Sequence, residues 1–331
     1  MMRISTLILF TVLFRLGMTA GEFHSVQREG ICSGDTLSAA QEKDMAITAR
    51  RILYGESDSV RLSANCSFLE MLLHALEQEG SFAYPFDSLT TISRLFAPDS
   101  SFRLLTWNLP KDDGTYLYSG VIQPRPKANK TDVFLLSDSS DIMTGLEHRI
   151  TGCQAWPGAL YYQIIRNETP GKRYYTLLGW DGHNRFTTRK IIEVLTFDPD
   201  GRPVFGAPVF PDYLKGDQTR VIFEYSSNAV MSLKYETQRY RELRNKNPYR
   251  PAYRYRTARM IVFDHLEPMD PSLKGQYSFY VPAGNIVDAF VFSDGCWRFK
   301  TDVDARNPDK RSDNRQDKPT EYQLVPPGSS K

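Results

Sequence analysis

The chain has 331 residues, of which 41% are hydrophobic and 12% aromatic, and a formal charge of +2 at pH 7. This composition fits a packed globular protein and excludes a disordered chain, and the near balance of charge gives no whole-molecule field to gather nucleic acid or anionic lipid. The length allows one large domain or two ordinary ones.

Residues 1–20 read as a signal peptide. Met1–Arg3 is a short positive start, Ile4–Phe14 an apolar run, and Thr19-Ala20-Gly21 supplies small residues suited to cleavage. Arg3 and Arg15 leave with it, so the remaining chain of about 310 residues carries a formal charge of about 0. The address is export, to the periplasm or the medium. After Ala20 no apolar run approaches the roughly 20 residues of a spanning helix, so no transmembrane segment is expected.

A helical N-terminal portion is predicted over 33–98. One helix runs from about Leu37 to Leu53, with Asp35 or Thr36 as its cap. In a second, Leu62, Cys66, Leu69, Leu73 and Leu76 recur at spacings of four and three on one face, and Gly80 marks its end. A short third follows Asp87, using Leu89, Ile92, Leu95 and Phe96 and stopping before Pro98.

From Ser101 the period becomes that of strands, and 99–303 is expected to form a β-rich domain. Phe102–Leu109 and Thr115–Gln123 flank the turn Lys111-Asp112-Asp113-Gly114, as a hairpin would. Further strands are predicted at Val133–Ser137, Leu160–Arg166, Tyr174–Gly179, Thr188–Phe197, Arg220–Ser226, Ala229–Tyr235, Met260–Phe263, Tyr277–Val281, Val287–Phe292 and Cys296–Lys300. Connections rich in Gly, Pro, Asp and Asn, without helices between, point to an antiparallel sandwich or barrel-like sheet. The tail 304–331 is charged and poor in apolar residues, the composition of a disordered segment.

Gln238–Arg259 stands apart. It carries Arg239, Arg241, Arg244, Lys246, Arg250, Arg254, Arg256 and Arg259 against the single acid Glu242, with Tyr240, Tyr249, Tyr253 and Tyr255 interleaved. Such a mixture is able to meet nucleic acid, acidic polysaccharide or an anionic membrane. Export away from nucleic acid favours a solvated hairpin extension, and no nucleic-acid partner is expected.

Chemistry-bearing residues are sparse. Asp and His meet in Trp180-Asp181-Gly182-His183 and in Asp264-His265, so His183, Asp264 and His265, with Asp181 or Asp288, are the candidates for a metal or acid–base site. No HExxH pair, GxSxG elbow, GxGxxG loop or phosphate-loop lysine is present, and no cofactor is expected. Asp198-Pro199-Asp200-Gly201 reads as a hairpin turn rather than a calcium loop, because Arg202 stands where negative charge is needed. Cys32, Cys66, Cys153 and Cys296 allow three disulfide pairings in an oxidising compartment; Cys32 with Cys66 is favoured, and buried thiols are the alternative. Asn65-Cys66-Ser67, Asn129-Lys130-Thr131 and Asn167-Glu168-Thr169 match the glycosylation pattern, near the number chance gives.

Leu177-Leu178-Gly179-Trp180-Asp181-Gly182 and Lys190-Ile191-Ile192-Glu193-Val194, with Phe263-Asp264-His265-Leu266 and Asp302-Val303-Asp304-Ala305-Arg306-Asn307, resemble an uncharacterised family of exported bacterial proteins. The resemblance covers about the C-terminal half, implies a bacterial periplasmic or secreted setting, and transfers no activity. Against that family's pattern Gln238–Arg259 is longer, as an inserted loop would be.

The expected protein is α+β, a helical N-terminal portion packed on a predominantly antiparallel β region. Its expected role is that of a non-enzymatic binding or structural module of the bacterial cell envelope, with a glycan or an envelope protein as partner. Trp107, Trp156, Trp180 and Trp297 are candidate platforms for sugar or peptide, core packing being the competing role of each. The alternative is a metal-dependent hydrolase centred on His183, Asp264 and His265.

Overall fold

In the computed structural model, residues 37–126, 132–169, 172–214, 216–243, 252–301 and 303 are described. The expected signal peptide, Cys32, Asn129–Thr131 and residues 304–331 lie outside the described residues.

Two helices open the described chain, α1 (Ala39–Tyr54) and α2 (Asp58–Glu77). Ser38 starts α1 through a capping box: its hydroxyl accepts from Gln41 N and its N–H donates to Gln41 Oε1. Ser57 caps α2 by accepting from Val60 N. The predicted apolar face of α2 is displaced. Its buried residues are Arg61, Ala64, Asn65, Phe68, Leu72, Ala75 and Leu76, while Leu62, Cys66, Leu69 and Leu73 are only partly buried. The cause is that α2 packs against α1 and a sheet together, which turns Phe68 and Leu72 to the centre and leaves the leucine row on a flank.

The third helix does not form. Ser93–Phe96 is instead β1, paired antiparallel with β2 (Phe102–Pro110). Leu89 and Ile92 are buried in the turns leading to it. The 3–3–1 spacing of those four apolar residues fits a helical turn, but backbone pairing with β2 wins in a run this short.

Fourteen strands are present among the described residues, all paired antiparallel. The first sheet orders β1, β2, β3 (Tyr116–Pro124) and β4 (Phe134–Ser137). The second runs β5 (Thr151–Gly152), β9 (Pro203–Phe205), β8 (Thr187–Phe197), β7 (Lys172–Asp181) and β6 (Leu160–Thr169), with β10 (Val221–Ser226) also paired to β8. The third orders β11 (Leu233–Leu243), β12 (Tyr253–Pro268), β13 (Tyr280–Ser293) and β14 (Cys296–Lys300). None of the three closes on itself among the described residues. The chain is therefore α+β, with the two α-helices among the described residues both before the sheets.

Side-chain alternation along the strands divides the interior into successive cores. Leu105, Trp107, Leu109 and Val121 point from the first sheet to the helices and share a core with Met45, Phe68 and Leu72. Their neighbours Phe102, Leu104, Tyr118 and Ile122 point the other way, and meet Tyr161, Tyr175, Leu177 and Ile191 of the second sheet. The opposite face of that sheet, with Tyr174, Leu178, Ile192 and Val194, packs on Leu233, Ile261, Phe263 and Phe290 of the third. The outer face of the third sheet buries Tyr240, Met260 and Val262 beside Val303.

Several strand ends differ from expectation. β11 begins at Leu233 rather than Ala229, residues 277–279 form a 3-10 turn before β13, and β12 reaches back to Tyr253. The basic segment is thus a paired ribbon, in register from Leu233–Phe263 to Leu243–Tyr253.

Candidate functional site

The four tryptophans do not form one platform. Trp107, Trp156 and Trp297 are buried, each in a different core. Their indole N–H groups are satisfied internally, by Asn65 Oδ1 at 2.6 Å, the Tyr161 hydroxyl at 3.2 Å and Thr176 Oγ1 at 2.9 Å. A ring enclosed in this way offers no face to a sugar or peptide, which corrects the expectation for these three. Trp180 alone is partly exposed.

Trp180 lies at the end of β7, directly opposite Lys190 on β8, and Lys190 is in turn opposite Phe223 on β10. Directly paired residues share a face, so the three positions lie in one row, although the Trp180 ring itself packs edge-on against Tyr116 at 5.5 Å. Tyr162 completes the row. A bulge in β6 between Tyr161 and Gln163 releases it from the ladder, and the Lys190 ammonium sits 4.8 Å from its ring centroid. The Tyr162 hydroxyl donates to the Leu233 carbonyl at 3.0 Å, which fixes the ring between the second and third sheets. No hydrogen bond or ion pair holds Lys190 among the described residues, and burial pulls its ammonium down to about 8. A half-buried cation against the Tyr162 ring, on the row that carries the partly exposed Trp180, suits a ligand with an anionic group and a flat apolar face.

A second polar cluster occupies the other side of the same strand ends. Tyr118 donates to Asp181 Oδ1 at 3.1 Å and accepts from Gly182 N at 2.8 Å. Burial raises the Asp181 carboxyl to about 6, while the His183 N–H and Arg189 act in the opposite direction. Arg189 donates through Nε and Nη2 to Glu224 Oε2, both at 2.8 Å, and Thr187 Oγ1 donates to Glu224 Oε1. His183 turns the chain at φ 52°, with Nε2 3.7 Å from Glu224, and burial lowers its pKa. A side chain at Gly182 would run into the Tyr116 ring, so glycine is required there. Every member of this cluster has an internal partner, which makes it a fastening of the β7–β8 turn.

His265 is partnered elsewhere. A second bulge, at His265 itself, brings Nδ1 to 2.6 Å from Asp288 Oδ2, with Glu267 at 3.8 Å. Asp264, its sequence neighbour, accepts instead from Ser232 N at 2.7 Å. No hydrogen bond or ion pair joins His183 to Asp264 or His265, and no group of three or more His, Cys, Asp or Glu able to hold a metal occurs among the described residues.

Cys66, Cys153 and Cys296 are not bonded to one another, and Cys32, the other half of the favoured pairing, lies outside the described residues. Burial pushes the Cys153 thiol up to about 11, which leaves it a poor nucleophile. Two of the glycosylation matches are structural: Asn65 and Asn167 are buried, Asn65 bonding Trp107 and Asn167 accepting from Thr176.

Lys190 and Tyr162 are the members of the exposed row that the sequence does not single out. Only the β7–β8 register and the β6 bulge bring them to Trp180, and local spacing carries neither. No family model, curated protein or solved structure matches the chain. No helix among the described residues is long and apolar enough to cross a membrane.

Proposed function

We propose that the chain is an exported, non-enzymatic binding or structural module of the bacterial cell envelope, periplasmic or secreted, with a glycan or envelope protein as partner. The resemblance of the Trp180 and Phe263-Asp264-His265-Leu266 segments to exported bacterial proteins belongs to this reading, as does a stacked-sheet sandwich in preference to a barrel. The cores between successive sheets support the sandwich. The observation that carries the functional reading is the row Trp180, Lys190 and Tyr162: an amine stacked on the exposed Tyr162 ring, opposite the partly exposed Trp180 in register, with no carboxylate partner among the described residues. The acids and histidines of the hydrolase alternative are each engaged separately.

The two classes differ in metal. After incubation with zinc and desalting, the purified protein is expected to carry no zinc above background by elemental analysis. His183→Ala/His265→Ala is expected to be indistinguishable from the parent. Near one equivalent of zinc in the parent, lost in the double variant, would overturn the binding-module reading in favour of the hydrolase.

A further inference from the structure

We infer that the ribbon formed by the outer halves of β11 and β12 is a docking surface for a linear acidic polysaccharide. The inference rests on the binding-module reading and gives it a ligand class.

β13 pairs with β12 only from Met260 onward, so residues 237–243 and 253–259 extend beyond the third sheet as two strands. Their pairing sorts the side chains into two faces. One carries Gln238, Tyr240 and Glu242 opposite Ala258, Arg256 and Arg254. Its cations are neutralised: Gln238 and Tyr240 are buried, and the exposed Arg254 and Arg256 are both paired with Glu242, at 2.7 and 2.6 Å. The other carries Thr237, Arg239 and Arg241 opposite Arg259, Thr257 and Tyr255, and all six are exposed. No acid lies on this face between Tyr235 and Arg241 or between Tyr255 and Ile261. The acids of the segment, Glu236 and Glu242, both belong to the neutralised face.

Two of the three cations of the open face are held flat. The Arg239 guanidinium lies 4.0 Å from the Tyr255 ring centroid, and that of Arg259 lies 4.4 Å from Tyr235. A guanidinium stacked on a ring keeps its edge N–H groups free for in-plane, two-point contact with a carboxylate or sulfate. At about 3.4 Å per residue, Tyr235 to Arg241 spans about 20 Å of straight, acid-free surface. Thr237 and Thr257 set hydroxyls among the arginines, suited to a chain that alternates anionic groups with hydroxyls. Between Tyr235 and Arg241, and between Tyr255 and Arg259, the face bears no aliphatic side chain to enter a bilayer. One side of each tyrosine is already taken by a guanidinium, which removes stacking surface that bases would use.

The test is titration of the full chain with an oligogalacturonate at low salt, with neutral dextran, a single-stranded oligonucleotide and anionic vesicles as comparators. Oligogalacturonate is expected to bind, to weaken as salt rises, and to lose at least about tenfold in affinity in Arg239→Gln/Arg259→Gln. Arg254→Gln/Arg256→Gln, on the face where Glu242 already neutralises both cations, is expected to change it less than about twofold. Arg239→Lys/Arg259→Lys keeps the charge without the fork and is expected to fall between, with unchanged urea midpoints showing that folding is intact. No oligogalacturonate binding, tighter binding to the oligonucleotide or vesicles, or equal losses from the two faces would overturn the inference. Binding that ignores Arg239→Gln/Arg259→Gln but is lost in Lys190→Gln would overturn the ribbon alone and leave the binding module standing.

Discussion

Arg220→Met is expected to cost about 3–5 kcal/mol, among the largest effects of any single substitution in the chain. Arg220 and Glu193 are both fully buried in the second sheet, with Arg220 Nε donating to Glu193 Oε2 at 2.7 Å. Arg220 also donates from Nη1 to the Leu146 carbonyl, and its neighbour Thr219 donates through Oγ1 to the Glu147 and Arg149 carbonyls. The pair therefore pins the 146–149 segment to the sheet as well as neutralising itself. Methionine in its place leaves the Glu193 carboxylate buried without its cation, and desolvation of that charge dominates the cost. Replacing both, as Arg220→Met/Glu193→Leu, removes the stranded charge and should recover most of the loss. Urea midpoints of parent, single and double variants check this. A single variant within about 1 kcal/mol of the parent would refute the buried-charge explanation.

Trp107→Ala is expected to lose a similar amount, about 3–5 kcal/mol. Trp107 stands on β2 with its ring edge-on to Phe68 of α2 at 5.1 Å, and its N–H holds the buried Asn65 side chain. Alanine opens a cavity between helix and sheet and withdraws the Asn65 partner. Trp107→Phe keeps most of the volume and should cost less, chiefly for the lost hydrogen bond. Because helices and first sheet share this core, far-UV circular dichroism and fluorescence should report one coincident transition in both variants. Alanine within about 0.5 kcal/mol of the parent would contradict the packing described.

Much of this fold is legible locally. Lys111-Asp112-Asp113-Gly114 and Asp198-Pro199-Asp200-Gly201 announce their turns because Gly114 and Gly201 adopt positive φ, which turn chemistry anticipates. The β2–β3 hairpin and the two helices are foreseen as elements, although Ser38, not Asp35 or Thr36, caps the first helix. What fails does so where tertiary contact outweighs pattern. The buried stripe of α2 is set by two packing partners at once, and β1 by the strand it pairs with. The basic ribbon hides its strands because one face is charged and only register separates it from the other. The candidate site is still less visible: Trp180 and Lys190 lie ten residues apart yet opposite one another, and His265 meets Asp288, 23 residues away, rather than the adjacent Asp264.

The row Trp180, Lys190 and Tyr162 is tested most directly by tryptophan fluorescence, titrating parent, Trp180→Phe and Lys190→Gln with short acidic peptides and their neutral counterparts. With three of four tryptophans enclosed, a ligand on the row should perturb Trp180 selectively. An anionic ligand is expected to change the parent's emission and to leave that of Trp180→Phe unchanged. Its affinity is expected to fall in Lys190→Gln, and to fall in the parent as pH rises through about 8, where the ammonium loses its proton. An emission change that persists in Trp180→Phe, or affinity that ignores both Lys190 and pH, would contradict a ligand seated on this row.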